Sequence, residues 1–174
     1  MTIHATDPFA TPEPDRSPVR RFRSRLLAPV TLWTAAAPAG LGPAGLTVSS
    51  MLVADGDPGR VLGLVDDESE LWEAASAAGR FAVSPLLAGE HQLADRFAGL
   101  APAPGGRFRD GSWRETSYGP VPDGDRTWAG CRLDGARRYG WGLLVEATVV
   151  EVTVGSRDVD PLGHHRGRYH RLDK

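Results

Sequence analysis

The chain of 174 residues has one cysteine, Cys131, and one lysine, Lys174. A single thiol cannot close a disulfide within the chain or supply a cysteine cluster for zinc. Cys131 lies in the strand-like run WAGCRL, where a cysteine reads as a small buried hydrophobe. Long hydrophobic runs are missing too, since none approaches the ~18 apolar residues of a membrane span. The N-terminal stretch MTIHATDPFATPEPDR is acidic and proline-rich with no apolar segment. It does not read as a secretory signal, and a cytoplasmic location is the expectation. With a formal net charge of -2, no whole-molecule field draws in nucleic acid. No GxGxxG follows a strand and no GxxxxGK[ST] occurs, so a nucleotide would need another cradle. Nucleophilic catalysis has no support either. There is no GxSxG, and Arg132, the basic neighbour of Cys131, points to the opposite face by strand alternation.

What is present is a series of short apolar runs divided by turns. Four prolines fall within residues 1 to 18, which predicts an extended or disordered tail ahead of a folded domain at 19–174. Strands are expected at 29–37, 46–54 and 60–65, with DGDPG as the turn before the third. Residues 69–80 predict a helix: Ser69 caps it, Leu71, Ala74, Ala75 and Ala78 form its stripe, and Gly79 stops it. A strand at 81–87 and a second short helix at 89–99 follow. Residues 100–125 read as a long loop, a length that in a compact domain usually serves a site. Two long strands, 126–136 and 142–155, precede the tail GHHRGRYHRL. The sum is a mainly β chain, a barrel with two short helices, and not a doubly wound sheet.

The run GPAGLTVSSM (42–51) puts three hydroxyls where a buried strand usually carries methyl groups. Alternation places Thr47 and Ser49 on one face and Val48 and Ser50 on the other. Such a strand suits a flat heteroaromatic ligand with carbonyls and a phosphate, and it equally suits an ordinary solvent-facing strand.

The segments PVTLWTAA, GLTVSSM, GDPGRVLGLV, SELWEAASAAGRFAVSPL, HQLADRFAG, WAGCRL and PLGHHRGRYHRL occur in one order over residues 22 to 172. In that order they resemble the flavin reductase-like family, whose FMN-binding, Greek-key-like split β-barrel works as a homodimer. The resemblance implies that Leu46, Thr47, Val48, Ser49 and Ser50 line the flavin ring and its ribityl chain. It sets Ser69 near the phosphate, at a helix N-terminus with free N–H donors. Ser69 also reads simply as a helix cap, and the acids Asp66, Asp67 and Glu68 disfavour a phosphate beside it. Arg96 reads either as the phosphate's counter-charge or as a solvated helix arginine. Phe97 reads either as packing near the ring or as a core aromatic. The long loop is expected to fold over the flavin.

The implied activity is oxidation of NADH or NADPH with reduction of FMN or FAD, the reduced flavin passing to a partner monooxygenase or a small substrate. No residue need act as an acid–base catalyst, and no metal is implied. Many members carry Gly-Asp-His where this chain has Gly140, Trp141 and Gly142. Trp141 reads as a stacking partner for flavin or nicotinamide, or as a core tryptophan at the barrel end. The missing imidazole motivates two rivals: a flavin carrier without nicotinamide-dependent activity, and an interaction module that lost the ligand. In the tail, a continuous strand would set His164 and His170 roughly 20 Å apart, too far for one metal site. A basic rim around an anionic cofactor and a solvated edge both fit this segment, with Tyr169 packing at the dimer interface.

Overall fold

The computed structural model describes residues 17–36, 42–156 and 160–172. In chain order the elements are α1 (Pro18–Ser24), β1 (Ala28–Pro29), β2 (Thr31–Ala35), β3 (Ala44–Val48), β4 (Met51–Ala54) and β5 (Arg60–Val65). They continue with α2 (Glu70–Ala78), β6 (Arg80–Pro85), α3 (His91–Phe97), β7 (Trp113–Arg114) and β8 (Val121–Pro122). The chain ends with β9 (Trp128–Tyr139), β10 (Gly142–Thr153), β11 (Leu162–His165) and β12 (Arg168–Arg171). Of the expected tail, residues 1–16 lie outside the described residues. Pro18 already starts a helix, α1, that was not expected. Its signal is local: Ser17 accepts a hydrogen bond from the Arg20 N–H, and the proline takes the first turn.

Seven strands form one antiparallel sheet in the order β3-β2-β6-β9-β10-β5-β4. The two edges of this sheet are consecutive in sequence, with only Ser49 and Ser50 between them. Three Cα steps reach at most about 11 Å, so the edges must meet there and the sheet curls into a barrel. The expected single strand at 46–54 is therefore two. Val48 pairs with Thr31, whereas Met51 pairs with Gly63, and one straight strand cannot serve both ladders. No ladder joins β3 to β4 among the described residues, which leaves the barrel split along this seam.

Inside the barrel, Trp33 stacks on Phe81 with ring centroids 4.7 Å apart. Val48, Val61, Val65, Val83, Val145 and Ala147 surround them, and Leu71, Ala74 and Ala75 of α2 plug the open side. Gly63 has no side chain because a Cβ there would collide with the Trp33 ring. Cys131 is fully buried in this core, and burial pushes its thiol up to about 12. A second apolar cluster lies beneath α3, where Val30, Leu32, Leu86 and Leu162 meet Ala94 and Phe97. The loop at 100–125 packs on it: Phe108 and Trp113 approach Phe97 edge-on at 4.9 and 5.8 Å.

Two expectations are overturned by turns. The tail is not a continuous strand. Arg166 and Gly167, at φ 52 and 79, fold it into the β11–β12 hairpin, which joins β1 in a three-stranded sheet. The His165 and His170 rings are then 5.8 Å apart. Trp141 is not a core residue but is 83% exposed at the tip of the β9–β10 hairpin. Gly140, at φ 60, supplies the first residue of a two-residue turn, and the next side chain points beyond the sheet.

Candidate functional site

Strand β3 pairs with β2 on one side and, among the described residues, with no strand on the other, so it presents an edge of backbone N–H and C=O groups. Its parity follows the sequence. Ala44 and Val48 face the barrel core, with Leu46 packed against it. Gly45 and Thr47 face outward under α3: a Cβ on Gly45 would meet the Phe97 ring at 2.7 Å, and Thr47 Oγ1 donates to the Ala94 carbonyl at 2.7 Å. Ser49 and Ser50 form the seam. The Ser50 carbonyl accepts the Leu64 N–H at 2.9 Å, and its hydroxyl accepts from Arg23 Nη2 of α1 at 2.9 Å. At the other end of β3 lies a cavity of about 540 Å³, walled by Gly42–Gly45, Ala74 of α2 and Gly105–Arg109 of the long loop. That volume suits a mid-sized organic ligand. An ion pair between Arg107 and Glu70, at 2.8 Å, crosses its rim.

One flank of the seam is basic. The Arg166 N–H donates to the Ser24 carbonyl at 2.7 Å, tying the β11–β12 hairpin to α1, and His164 pairs with Ala28 of β1. His164 meets Tyr169 edge-on at 5.6 Å, and the Tyr169 hydroxyl donates to Asp95 Oδ1 at 2.9 Å. Burial lowers the pKa of His164, as do the positive charges of Arg23, His170 and His165, against the opposing influence of Asp95. Burial, with the Asp95 hydrogen bond and charge, holds the Tyr169 phenol above its usual range.

The other flank is acidic. Ser69 caps α2, accepting from the Trp72 N–H at 3.2 Å and donating to the Asp66 carbonyl at 2.7 Å. Glu70 and Glu73 occupy the first turn behind it. Asp67 is held by Arg138 of β9 at 2.6 Å, which sets the β9–β10 turn beside the α2 N-terminus. The pairing of Leu143 with Val65 does the same, so Trp141 stands at the seam end of the barrel.

Among the sequence candidates, the fold thus brings Leu46, Thr47, Val48, Ser49 and Ser50 onto one strand and its seam. Ser69 and Trp141 stand at the same end. Phe97 is fully buried with its ring against Gly45 of β3, and Arg96 pairs with Asp110 of the loop at 3.4 Å. Residue reasoning missed Arg23 and Asp95. A basic helix opening (PVRRFRSR) and an acid on the half-buried side of α3 were the available signals.

The sequence profile described as "Flavin reductase like domain" matches residues 23–173. The chain belongs to the flavin reductase-like family. It is 28% identical over 176 residues to a protein named FMN reductase (NADH) RutF from Methylorubrum extorquens, covering 100% of this chain and 84% of that one. It also resembles a nitrilotriacetate monooxygenase component B homologue from Mycobacterium thermoresistibile. There the TM-score is 0.78 at 26% identity, over 89% of this chain and 85% of that one. The NADH:FAD oxidoreductase SgcE6 of Streptomyces globisporus C-1027 likewise gives 0.78 at 25% identity, over 94% and 96%. These neighbours bear out the split-barrel fold.

Proposed function

We propose that this member of the family is a flavin reductase that oxidises NADH and reduces FMN or FAD. The observation that carries the reading is the free-edged strand β3 ending in the Ser49–Ser50 seam, inside a family defined by flavin reduction. The residues present fit a flavin. The edge backbone groups of β3 match the donors and acceptors of the ring's pyrimidine edge, and Arg23 supplies positive charge at the seam. A bound flavin supplies the electron-accepting chemistry. The chain's own work is to hold and orient the ring and to exclude water around it. Thr47 fixes β3 against α3 for this purpose, while Leu46 and Val48 anchor it to the core.

Residues 19–174 act as one domain in this reading, with Leu46, Thr47, Val48, Ser49 and Ser50 as its flavin contacts. The protein works as a cytoplasmic homodimer and delivers reduced flavin to a partner monooxygenase. Its likeness to a nitrilotriacetate monooxygenase component B homologue supports that role. Among the described residues no helix is long and apolar enough to cross a membrane. A second reading, a flavin carrier, draws support from the β9–β10 turn, where Gly140, Trp141 and Gly142 offer neither a carboxylate nor an imidazole. Spectrophotometry of the purified protein separates the two. The reductase reading expects NADH oxidation at 340 nm that depends on added FMN or FAD. Flavin binding with no oxidation of NADH or NADPH would leave the carrier.

A further inference from the structure

The tail GHHRGRYHRL turns back on itself at Arg166 and Gly167, and the turn gathers its imidazoles. Strands β11 and β12 pair Gly163 with His170 and His165 with Arg168. His165 and His170 therefore stand diagonally across the hairpin on one face, with ring centroids 5.8 Å apart. His164 belongs to the opposite face, where it meets Tyr169 edge-on. Among the described residues, neither His165 nor His170 is committed to a hydrogen bond or an ion pair. His165 is half-buried and His170 exposed, so solvent reaches the pair. The backbone beneath them is fixed on several sides. Strand β11 pairs with β1, the Leu162 N–H donates to the Leu86 carbonyl at 2.9 Å, and the Arg166 N–H donates to the Ser24 carbonyl at 2.7 Å.

We propose that His165 and His170 form a two-imidazole site for a divalent late transition metal, with zinc as the simplest case. A metal about 2.0–2.1 Å from one nitrogen of each ring sets the ring centres about 5 to 6.5 Å apart, for any angle at the metal from tetrahedral to linear. The observed 5.8 Å lies inside that range. The pair thus closes on an ion by turning its side chains, with the backbone unmoved. The donors select the metal. Neutral imidazole nitrogens suit Zn²⁺, Ni²⁺ and Cu²⁺, whereas Mg²⁺ and Ca²⁺ take oxygen ligands. Among the described residues no carboxylate or thiolate completes a larger cluster, and Arg168 stands opposite His165 on the same face. That positive surrounding further disfavours ions held by charge alone. Water fills the remaining coordination positions. The bound ion staples β12, the edge of the three-stranded sheet, to β11. The site needs no flavin and stands apart from the flavin reading.

The full chain, carrying no affinity tag, is titrated with zinc chloride by isothermal calorimetry. One Zn²⁺ per chain should bind, and magnesium chloride over the same range should give no heat of binding. Two imidazoles on one hairpin act as a chelate, so His165→Gln and His170→Gln should each weaken Zn²⁺ by about 100-fold. His164→Gln, on the opposite face, and His4→Gln, near the start of the chain, should leave the affinity unchanged. Zn²⁺ should also raise the Tm of the unaltered protein and not that of the two hairpin variants, because an ion held by the native hairpin favours the folded state. Circular dichroism establishes that each variant folds. One readout needs no variant: in the proton NMR spectrum of the unaltered protein, the Cε1–H signals of His165 and His170 should move together as Zn²⁺ is added. Failure of the unaltered protein to bind Zn²⁺ would overturn the proposal, as would Cε1–H signals of this pair that stay in place. Undiminished binding in either hairpin variant, or an equal loss on His164→Gln, would overturn it too, because the ion would then sit elsewhere.

Discussion

Gly63 sits on β5 directly under the Trp33 ring, with no room for a methyl group. Gly63→Ala should therefore destabilise the domain by about 1–3 kcal/mol through overpacking, read as a lower urea midpoint at unchanged slope. Single residues of this kind were unevenly legible in the sequence. Alternation put Val48 and Thr47 on opposite faces, as observed, because a strand's two faces follow from its backbone alone. The partner of Thr47 was not legible, since the Ala94 carbonyl belongs to a helix forty-seven residues on. Phe97 offered two readings, and what buries it is Phe108 and Trp113, supplied by a loop with no periodicity to read. Trp141 offered two readings, and its exposure overturns the core one. A large apolar side chain argues for burial, but its place in a two-residue turn beyond the sheet overrides that preference.

Individual elements were legible where one chemistry repeats along them. The cap at Ser69, the stripe at Leu71, Ala74 and Ala75, and the stop at Gly79, with φ 67, all behave as their residue types require. Elements shaped by a change of ladder were not, as with the break after Val48 and the fold-back at Arg166. The outer face of the β9–β10 hairpin carries its own electrostatic device. Asp134 accepts from Thr148 Oγ1 at 2.7 Å and faces Arg132 and Arg60 at 3.3 and 3.1 Å. The Thr148 hydrogen bond, followed by these cations, holds its carboxyl below the usual carboxylate range. A carboxyl with a lower pKa folded than unfolded adds stability above the unfolded value, and that stability is lost as pH falls through the folded one. Asp134→Asn should accordingly lower Tm at pH 7 by about 2–4 °C or less. The gap to the unaltered protein should close as the pH is taken below 4 in thermal melts.

Over the whole molecule, apolar side chains are exposed on several strands of the barrel. Leu52 and Val53 of β4 and Leu64 of β5 are among them, as are Val150 and Val152 of β10. Exposed apolar side chains beside the edge strand β4 are the kind of surface that a second copy covers. Light scattering should give a dimer, and Leu52→Glu combined with Leu64→Glu should shift it to monomer while near-ultraviolet circular dichroism stays native. A monomeric unaltered protein would remove this part of the reading.

Most connections between strands tolerate extra residues, because each doubling of a loop's length costs only about 0.6 kcal/mol. The link between Val48 and Met51 is of another kind, since its span is set by the distance between two sheet edges. Substitution at 49 and 50 leaves both ladders in place. Removal of either residue shortens the reach and pulls one of the two edges out of register.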